Sequence, residues 1–569
     1  MGRTPHRFWR MGGALALVSS LSAGCYDGTD LATADGDTDS EGSDSSPSGD
    51  GSGDSGEVPE TPEEALDIPV TTAIPRLSRR EVDATVFEVF GIEGAAERFL
   101  PEDPRTVVDP VTGVEIETFD TYVGSKDPSV VFIEGLEAMA LDVARDFSED
   151  TERVAAIAGC SPSGDWDPNC LRSLIESLGL RLWRRPLGAE EVDVLLAAAT
   201  EFGEEGGHPF AVRMVAQSLL QSPEFAYHHE LGVDAGDGLR FLDNYELVSR
   251  MAFTLWGQGP SVELLEMAGS ADFDDEALLA VALDAVADPR AEEQMRSFHE
   301  LWLRYDELLV TDADLAADMR AESDALVDRV LLDDTARWTS LLTSTETFVT
   351  PSLAEHYGLD DVPNSPGWVA YGNDGRAGLL SHGSFLSLSS TQGSETLPSR
   401  RGSMLSQRIV CQSVPPPPDD VDIDDGVEVG EDECKVDGYE AHRDAGGACA
   451  GCHALIDPLG FGFERYDGLG RYREVEPDKP QCAIEGAGEV ASQPFSGPRE
   501  FATILESEGV AARCAVKQLG RFATRSTADR EDLVDRLAES FEADDENFRT
   551  LMIAVVTDPT FRYRKEANG

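Results

Sequence analysis

The chain has 569 residues, too many for one ordinary hydrophobic core, and 41% of them are hydrophobic, which excludes a globally disordered protein. Lys and Arg total 45 against 109 Asp and Glu, a formal net charge of −64. This balance argues against nucleic-acid binding, because no basic face is expected, and it favours cationic partners.

The first residues have the organisation of an export signal. Arginines at positions 3, 7 and 10 precede an apolar run over 11–21 that is too short to span a bilayer. The sequence LSAGC, ending at Cys25, resembles a bacterial lipobox, in which the cysteine is lipidated and becomes the new N-terminus. An ordinary secretory signal cut near Ala23 is the alternative. Either way we expect an exported protein whose thiols meet oxidising conditions, and lipidation would anchor it in the cell envelope, at the outer membrane.

Residues 26–65 are rich in Asp, Ser, Gly and Glu and contain no Lys or Arg. Such a segment cannot bury enough apolar surface to fold, so we predict a solvated tether. We divide the chain into a signal peptide over 1–24, a disordered acidic linker over 25–70, and five modules. The predicted modules span 71–150, 151–235, 236–362, 363–475 and 476–569.

Beyond residue 74 the apolar residues recur with a helical period, which predicts a mainly α, multi-module body with long loops. Capping boxes at Ser78–Glu81 and Asp243–Glu246 each precede an amphipathic run. Strand alternation is scarce, and 113–119 is one weak candidate. Four proline residues at 415–418 predict a stiff spacer before an acidic loop. Further helices are predicted within 278–286, 295–303, 325–342 and 501–522.

The most specific motif is Cys449-Ala450-Gly451-Cys452-His453. Its spacing suits two thioether bonds to the vinyl groups of a covalent haem c, with His453 as the proximal iron ligand. Export favours this interpretation, because haem of this type is attached outside the cytoplasm. Three alternatives stay open: a Cys2His2 zinc site that includes His442, a redox dithiol of Cys449 and Cys452, and one structural disulfide.

Simple electron transfer by such a haem requires a sixth iron ligand. The candidates are His442, then His382, Met404 and Met552. If no side chain binds, the open iron could take peroxide or oxygen, which would favour an oxidase or peroxidase. The sequence does not decide whether the protein is an enzyme.

The residues after the motif predict how a haem would be covered. Ala454, Leu455 and Ile456 are apolar and suit a ring edge. Asp457 to Gly460 is predicted to turn the chain, so that Phe461 and Phe463 could cover the macrocycle.

The wider pattern around this motif, His442-x6-Cys449-x2-Cys452-His453-x3-Asp457-Pro458, resembles a family of secreted cytochrome-like proteins of planctomycetes and myxobacteria. These proteins carry consecutive domains of unknown function 1587, 1595, 1592, 1588 and 1585. The resemblance implies a haem-type CxxCH protein of several helical modules, and it supplies no substrate and no settled activity. The other similar segments, in the order of those domains, are Arg76 to Glu81; Arg181 to Glu190; Leu242 to Trp256 with Asp288 to Arg290 and Phe298 to Leu303; Gly378 to Leu386 with Arg401-Gly402; and Leu519 to Arg521 with Phe561 to Arg564.

Six further cysteines remain. Their even number and the predicted export of the chain together predict disulfides. Proximity along the chain favours Cys160–Cys170, Cys411–Cys434 and Cys482–Cys514, one of about 15 possible connectivities.

Together these features predict an exported, lipid-anchored c-type cytochrome-like protein that transfers electrons or oxidises an unknown substrate. It would need a redox partner protein and would meet the membrane through its N-terminal lipid. The alternative is a non-enzymatic envelope protein that binds a partner or has a structural role, in which the CxxCH motif is a structural clip or a zinc site.

Overall fold

The structure is a computed structural model. The residues that it describes are 68–70, 74–108, 115–122, 129–162, 167–333, 335–360, 362–390, 395–414, 429–430, 432–444, 448–528 and 530–566. All of them lie in one of the two units into which the chain divides, Glu60–Gly569. The predicted signal peptide, nearly all of the linker and the proline spacer lie outside the described residues.

The prediction of a mainly α fold is confirmed: the described residues form 23 α-helices and 11 short strands. None of the described helices is long and apolar enough to cross a bilayer. The helices are Arg79–Phe90, Ala95–Phe99, Val130–Glu149, Thr151–Ala158, Pro168–Trp183, Ala189–Gly206, His208–Leu220, Pro223–Ala226, Asn244–Trp256, Val262–Ala268, Asp275–Val286, Pro289–Leu303, Ala313–Leu331, Ser340–Thr343, Pro351–Tyr357, Gly383–Ser387, Pro398–Arg408, Lys435–Asp444, Ala448–Phe461, Gly497–Ser507, Val510–Thr524, Glu531–Ala543 and Phe548–Thr557.

The strands form small sheets between the helices. One sheet has three strands, in the order Tyr563–Lys565, Leu239–Phe241 and Val233–Gly236, and it brings the C-terminal end of the described chain against its middle. The remaining strands pair antiparallel in twos: Thr106–Val108 with Glu115–Glu117, Glu346–Val349 with Gly367–Ala370, Val475–Glu476 with Lys479–Ala483, and Ala487–Val490 with Gln493–Ser496.

Local sequence signals explain several boundaries. The hydroxyl of Ser78 accepts from the backbone N–H of Glu81 while the carboxylate of Glu81 accepts from that of Ser78, and Asp243 and Glu246 do the same, so both predicted capping boxes are confirmed. The weak strand at 113–119 is confirmed over Glu115–Glu117.

Two predicted helices have different bounds. The helix predicted at 325–342 begins at Ala313, where the side chain of Asp312 caps it, and ends at Leu331. The run at 501–522 is two helices, because Gly509 between them has φ 65°, a left-handed conformation that ends a helix. An apolar period therefore located the helices but not their ends.

Two large apolar clusters form the core. One contains buried residues between Leu77 and Phe253. The other extends from Phe119 to Phe561 and includes residues of the last three predicted modules. Those modules therefore share a core, while their predicted boundaries stay predictions.

The six described cysteines outside the motif form three disulfides, and the predicted Cys160–Cys170 pair is confirmed. The other two predicted pairs are wrong: the bonds are Cys411–Cys514 and Cys434–Cys482, which join residues 103 and 48 positions apart. Nearness along the chain misled the prediction, because the fold sets distant segments side by side. In each bond the two Cα atoms lie about 5 Å apart, at 5.4 Å and 5.3 Å.

Two helices around the CxxCH motif cross in backbone contact. We call Ala448–Phe461 the motif helix and Pro398–Arg408 the facing helix. A Cβ at Gly402 would lie 1.8 Å from the carbonyl oxygen of Ile456, and a Cβ at Gly460 would lie 1.8 Å from that of Pro398. Only glycine permits this approach at either position, so the pair of glycines fixes how the facing helix lies against the motif.

We expect Gly402→Ala to destabilise the fold by about 3 kcal/mol, because the clash is with backbone and no side-chain rotation relieves it. Urea unfolding followed by circular dichroism measures the change. The matched control is Gly520→Ala, also in a helix, where the nearest atom is Cδ2 of Leu533 at 3.8 Å. It should be neutral or stabilising by up to about 1 kcal/mol. Equal effects of the two substitutions would contradict the crossing.

Candidate functional site

The motif lies at the start of the motif helix, so its cysteines and His453 belong to the first two turns. Residues three and four apart are neighbours on a helix, which places positions 449, 452 and 453 on one side. Cys452 and His453 are half-buried. The side chains of Cys449 and His442 lie outside the described part of the structure.

The predicted turn at Asp457 to Gly460 is wrong, because the motif helix continues through Pro458 to Phe461. Proline inside a helix deprives the carbonyl four residues earlier, that of Ala454, of a donor. Ala454 is exposed, so water can replace that donor. Phe461 packs edge-to-face on Tyr439, with ring centroids 5.2 Å apart.

The second aromatic residue predicted to cover a macrocycle, Phe463, lies elsewhere. It is fully buried and packs against Phe501, with ring centroids 5.3 Å apart. Its ring therefore belongs to the protein core and offers no surface to a cofactor.

The continuous helix places Asp457 one turn after His453, and the two side chains meet. Nδ1 of His453 lies 3.0 Å from Oδ1 of Asp457. The hydroxyl of Ser399, on the facing helix, donates to the same carboxylate oxygen at 2.6 Å and lies 3.2 Å from Nδ1 of His453. Arg443 donates from Nη1 to the other oxygen, Oδ2, at 3.0 Å. Three elements thus converge on one carboxylate.

The chemistry of these partners fixes the state of the imidazole. The side chain of Asp457 is 0% exposed, and an unpaired carboxylate there would be costly, so the ion pair with Arg443 compensates its charge. An ionised carboxylate only accepts hydrogen bonds, and therefore Nδ1 of His453 carries the proton. In that tautomer Nε2 bears the lone pair that binds metals.

The same geometry argues against a Ser-His-Asp hydrolase. In such a triad the serine and the carboxylate contact opposite nitrogens of the imidazole. Here Ser399 and Asp457 both lie at Nδ1 of His453. The serine is therefore a partner of the carboxylate rather than a nucleophile that the histidine activates.

The donor set of the motif suits a covalent haem. Cys452 and His453 are half-buried neighbours on the motif helix, and the contact of Nδ1 of His453 with a carboxylate sets the tautomer in which Nε2 binds metals. The described residues therefore fit this group.

Buried charges hold the segments around the site. The guanidinium of Arg401 is fully buried and donates to the carbonyls of Phe463 and Tyr466, both at 2.9 Å. Burial lowers its pKa to about 10. Arg401 lies on the facing helix, next to Gly402. Its hydrogen bonds therefore join the facing helix to the segment that follows the motif helix.

A second cluster holds the helix that carries Arg443. Burial raises the pKa of Glu464, but the positive charges of Lys435, Arg401 and Arg473 outweigh it, so the net pKa lies below its usual value. Lys435 begins the Lys435–Asp444 helix and lies 3.4 Å from the Glu464 carboxylate. Glu464 thus anchors the start of that helix.

Three of the four candidate sixth ligands have described side chains, and all three lie in packed interiors. Met404 and Met552 belong to the large apolar cluster. His382 is fully buried, with Nδ1 2.9 Å from Oγ of Ser323 and Nε2 3.5 Å from Oγ1 of Thr347.

His382 belongs instead to a buried polar network around Glu322. Oε2 of Glu322 accepts from the hydroxyl of Tyr357 at 2.7 Å, and its Oε1 lies 3.6 Å from Nε2 of His382. Burial raises the pKa of Glu322 to about 7 and lowers that of His382 to about 3. Full burial of the network indicates a structural role.

The residues around His453 were not predicted from the sequence. Asp457 could have been found, since it follows His453 by four positions and the motif begins a helix. Ser399 and Arg443 depend on contacts between separate helices, which no local pattern contains.

One group of described residues has the spacing to hold a metal ion: Cys434, Glu476 and Cys482. The two cysteines are bonded to each other, so their sulfurs are not thiolate ligands. These three residues therefore do not provide a metal site while the disulfide is intact.

Four family models match consecutive segments of the chain, each described as a protein of unknown function: DUF1595 over 170–230, DUF1592 over 242–359, DUF1588 over 376–476 and DUF1585 over 492–561. The resemblance to these four domains is confirmed, and the fifth, at Arg76 to Glu81, stays a prediction. The CxxCH motif lies within the DUF1588 segment. No curated protein and no solved structure matches the chain.

We expect Glu322→Gln to change how stability depends on pH. The folded pKa of about 7 lies above the ordinary 4.5, so the glutamate stabilises the fold below pH 4.5, and this contribution is lost as pH rises through 7. The free energy of unfolding of the variant should therefore rise relative to that of the wild type by roughly 3 kcal/mol between pH 5 and pH 8. Urea unfolding of both proteins at each pH measures this difference.

The control for this measurement is Glu464→Gln, another buried glutamate, whose folded pKa is lowered. Its stability relative to the wild type should stay constant over the same pH range. If the stability difference between Glu322→Gln and the wild type stayed constant over this pH range, the carboxyl of Glu322 would not titrate within it.

Proposed function

We propose that this protein is an exported, lipid-anchored, c-type cytochrome-like protein with one covalent haem, which serves electron transfer or a haem-dependent oxidation. The observation that carries the proposal is the 3.0 Å contact between Nδ1 of His453 and the buried carboxylate of Asp457. Histidines that bind metals commonly donate their other ring nitrogen to a carboxylate, which orients the ring and fixes its tautomer.

Cys449 and Cys452 would hold the haem through thioether bonds, and His453 would bind its iron. The bound haem would supply one-electron redox chemistry. Ser399 and Arg443 keep Asp457 in place, and Asp457 keeps the imidazole oriented.

The burial of Met404, Met552 and His382 bears on the choice between a carrier and an oxidase. With these three in packed interiors, His442 remains as the candidate sixth ligand. If His442 does not bind, the iron has an open position, which supports haem-dependent oxidation rather than simple electron transfer.

The proposed setting is the cell envelope, with the lipid at Cys25 anchoring the chain at the outer membrane. The net charge of −64 favours a redox partner with a cationic face and argues against nucleic acid. In the alternative, the motif and His442 bind zinc in a non-enzymatic envelope protein. Imidazole suits both metals, so the metal must be identified directly.

Protein made with a c-type maturation system should be red and keep its haem after denaturation, with one haem per chain. The double change Cys449→Ala with Cys452→Ala should abolish covalent retention, because both thioether bonds are lost. Denaturing gels stained for haem and a reduced-minus-oxidised spectrum measure this.

The control is Cys160→Ala with Cys170→Ala, which removes another cysteine pair, bonded far from the motif in sequence, and should retain the haem. Colourless wild-type protein with one zinc ion per chain would overturn the haem proposal and select the alternative, since zinc has no redox chemistry.

Cys25→Ser should release the protein from the membrane fraction, because the lipid would have no attachment point. Ser22→Leu, which brings the sequence closer to the common lipobox, should stay membrane-bound and serves as the control. Immunoblots of fractionated cells report the outcome. If Cys25→Ser stayed in the membrane fraction to the same extent as the wild type, that result would contradict lipid anchoring at this residue.

A further inference from the structure

The carboxylate of Asp457 has more hydrogen-bond partners than orienting a histidine requires. Its Oδ1 contacts both His453 and Ser399, and its Oδ2 accepts from Arg443. The carboxylate is fully buried, while the side chain of Arg443 is 25% exposed. Oδ2 also lies 3.2 Å from Nδ1 of His453. The negative charge is thus next to the imidazole in a poorly screened position, and the positive charge that is paired with it is nearer to water.

A buried negative charge against Nδ1–H changes how strongly Nε2 donates electrons. It draws the Nδ1 proton toward itself and increases electron donation by Nε2. Low local dielectric strengthens this effect. A more basic ligand with an adjacent negative charge stabilises ferric over ferrous iron, and such hydrogen bonding is one of the means by which a protein sets a haem potential.

We propose that Asp457 is a positioning residue that lowers the reduction potential of the haem at His453, and that Arg443 opposes it. The inference rests on the proposed function, because it needs iron bound to His453. It adds a direction: the site favours ferric iron and gives up electrons readily once reduced.

Arg443 opposes Asp457 for two reasons. Its hydrogen bond at Oδ2 withdraws negative charge from the carboxylate and so weakens the pull on the Nδ1 proton. Its own positive charge also disfavours ferric iron. Both effects raise the potential, so removing Arg443 should act opposite to removing the charge of Asp457.

Ser399 supplies a third, independent change. Its hydroxyl donates to Oδ1 and its oxygen lies close to Nδ1 of His453, so it shares both partners of the central hydrogen bond. Ser399→Ala leaves all charges in place. It removes the hydroxyl that donates to Oδ1, so the carboxylate interacts more strongly with the imidazole. It should therefore lower the potential, as Arg443→Gln does.

The experiment is spectroelectrochemical titration of the haem-loaded full chain. Asp457→Asn should shift the ferric-to-ferrous ratio at a fixed applied potential at least tenfold toward ferrous, which is about 59 mV for a one-electron couple. Arg443→Gln and Ser399→Ala should shift it toward ferric. Resonance Raman should show a lower iron–imidazole stretching frequency in Asp457→Asn, as expected for a weaker donor.

The control variant is Asp467→Asn, a buried carboxyl whose Oδ1 accepts from the backbone N–H groups of Leu469 and Arg471. It should leave the potential nearly unchanged. If Asp457 only braced the helices, its variant and that of Arg443 would shift the potential in the same direction or leave it unmoved.

The outcomes separate the two levels of the argument. Haem-bound variants with unmoved or same-direction shifts overturn this inference and leave the proposed function standing. Wild-type protein that takes up no haem overturns both. If Asp457→Asn does not fold, the shifts of Arg443→Gln and Ser399→Ala toward ferric still decide, and shifts of either toward ferrous overturn the inference.

Discussion

The site depends on the backbone contact between two helices. Gly402 and Gly460 let the facing helix and the motif helix approach until main-chain atoms touch. This approach brings Ser399 within hydrogen-bond reach of Asp457, and it sets Arg401 where it can bind the carbonyls of the chain that leaves the motif helix. A wider crossing would separate all of these groups, so the glycines determine the geometry although neither has a functional side chain.

Buried arginines carry the fixed geometry outward from that crossing. Arg401 binds main-chain oxygens after the motif, and Arg376 donates to the carbonyl of Gly470 at 2.7 Å while its guanidinium lies over the rings of Tyr357 and Tyr466. Arginine suits this role because its planar group has five donors in fixed directions. These ties join the segment after the motif to the rest of the large core.

The sequence predicted the features that depend on neighbouring residues. Capping boxes at Ser78 and Asp243 were correct because both hydrogen bonds form within one turn. The pairing of Cys411 with Cys514 was missed because it joins residues 103 positions apart, and chain distance contains no such information. The predicted turn at Asp457 was wrong because the carbonyl that Pro458 leaves without a donor belongs to Ala454, which is exposed to water, so the helix tolerates the proline. That error hid the contact between Asp457 and His453, which only a continuous helix produces.

Stability alone does not explain why a charged pair lies beside the motif. Taking two charges out of water costs free energy that their mutual attraction often fails to exceed, and apolar residues of similar volume frequently stabilise a protein more. The pair of Asp457 and Arg443 bears on His453 in a way that apolar residues could not, since only a carboxylate both fixes the tautomer and adds electron density to the ring. The effect of this pair on His453 therefore explains the arrangement better than a contribution to stability does. The nearby Glu464 cluster shows the contrasting case of a buried charge that ties segments of the chain together.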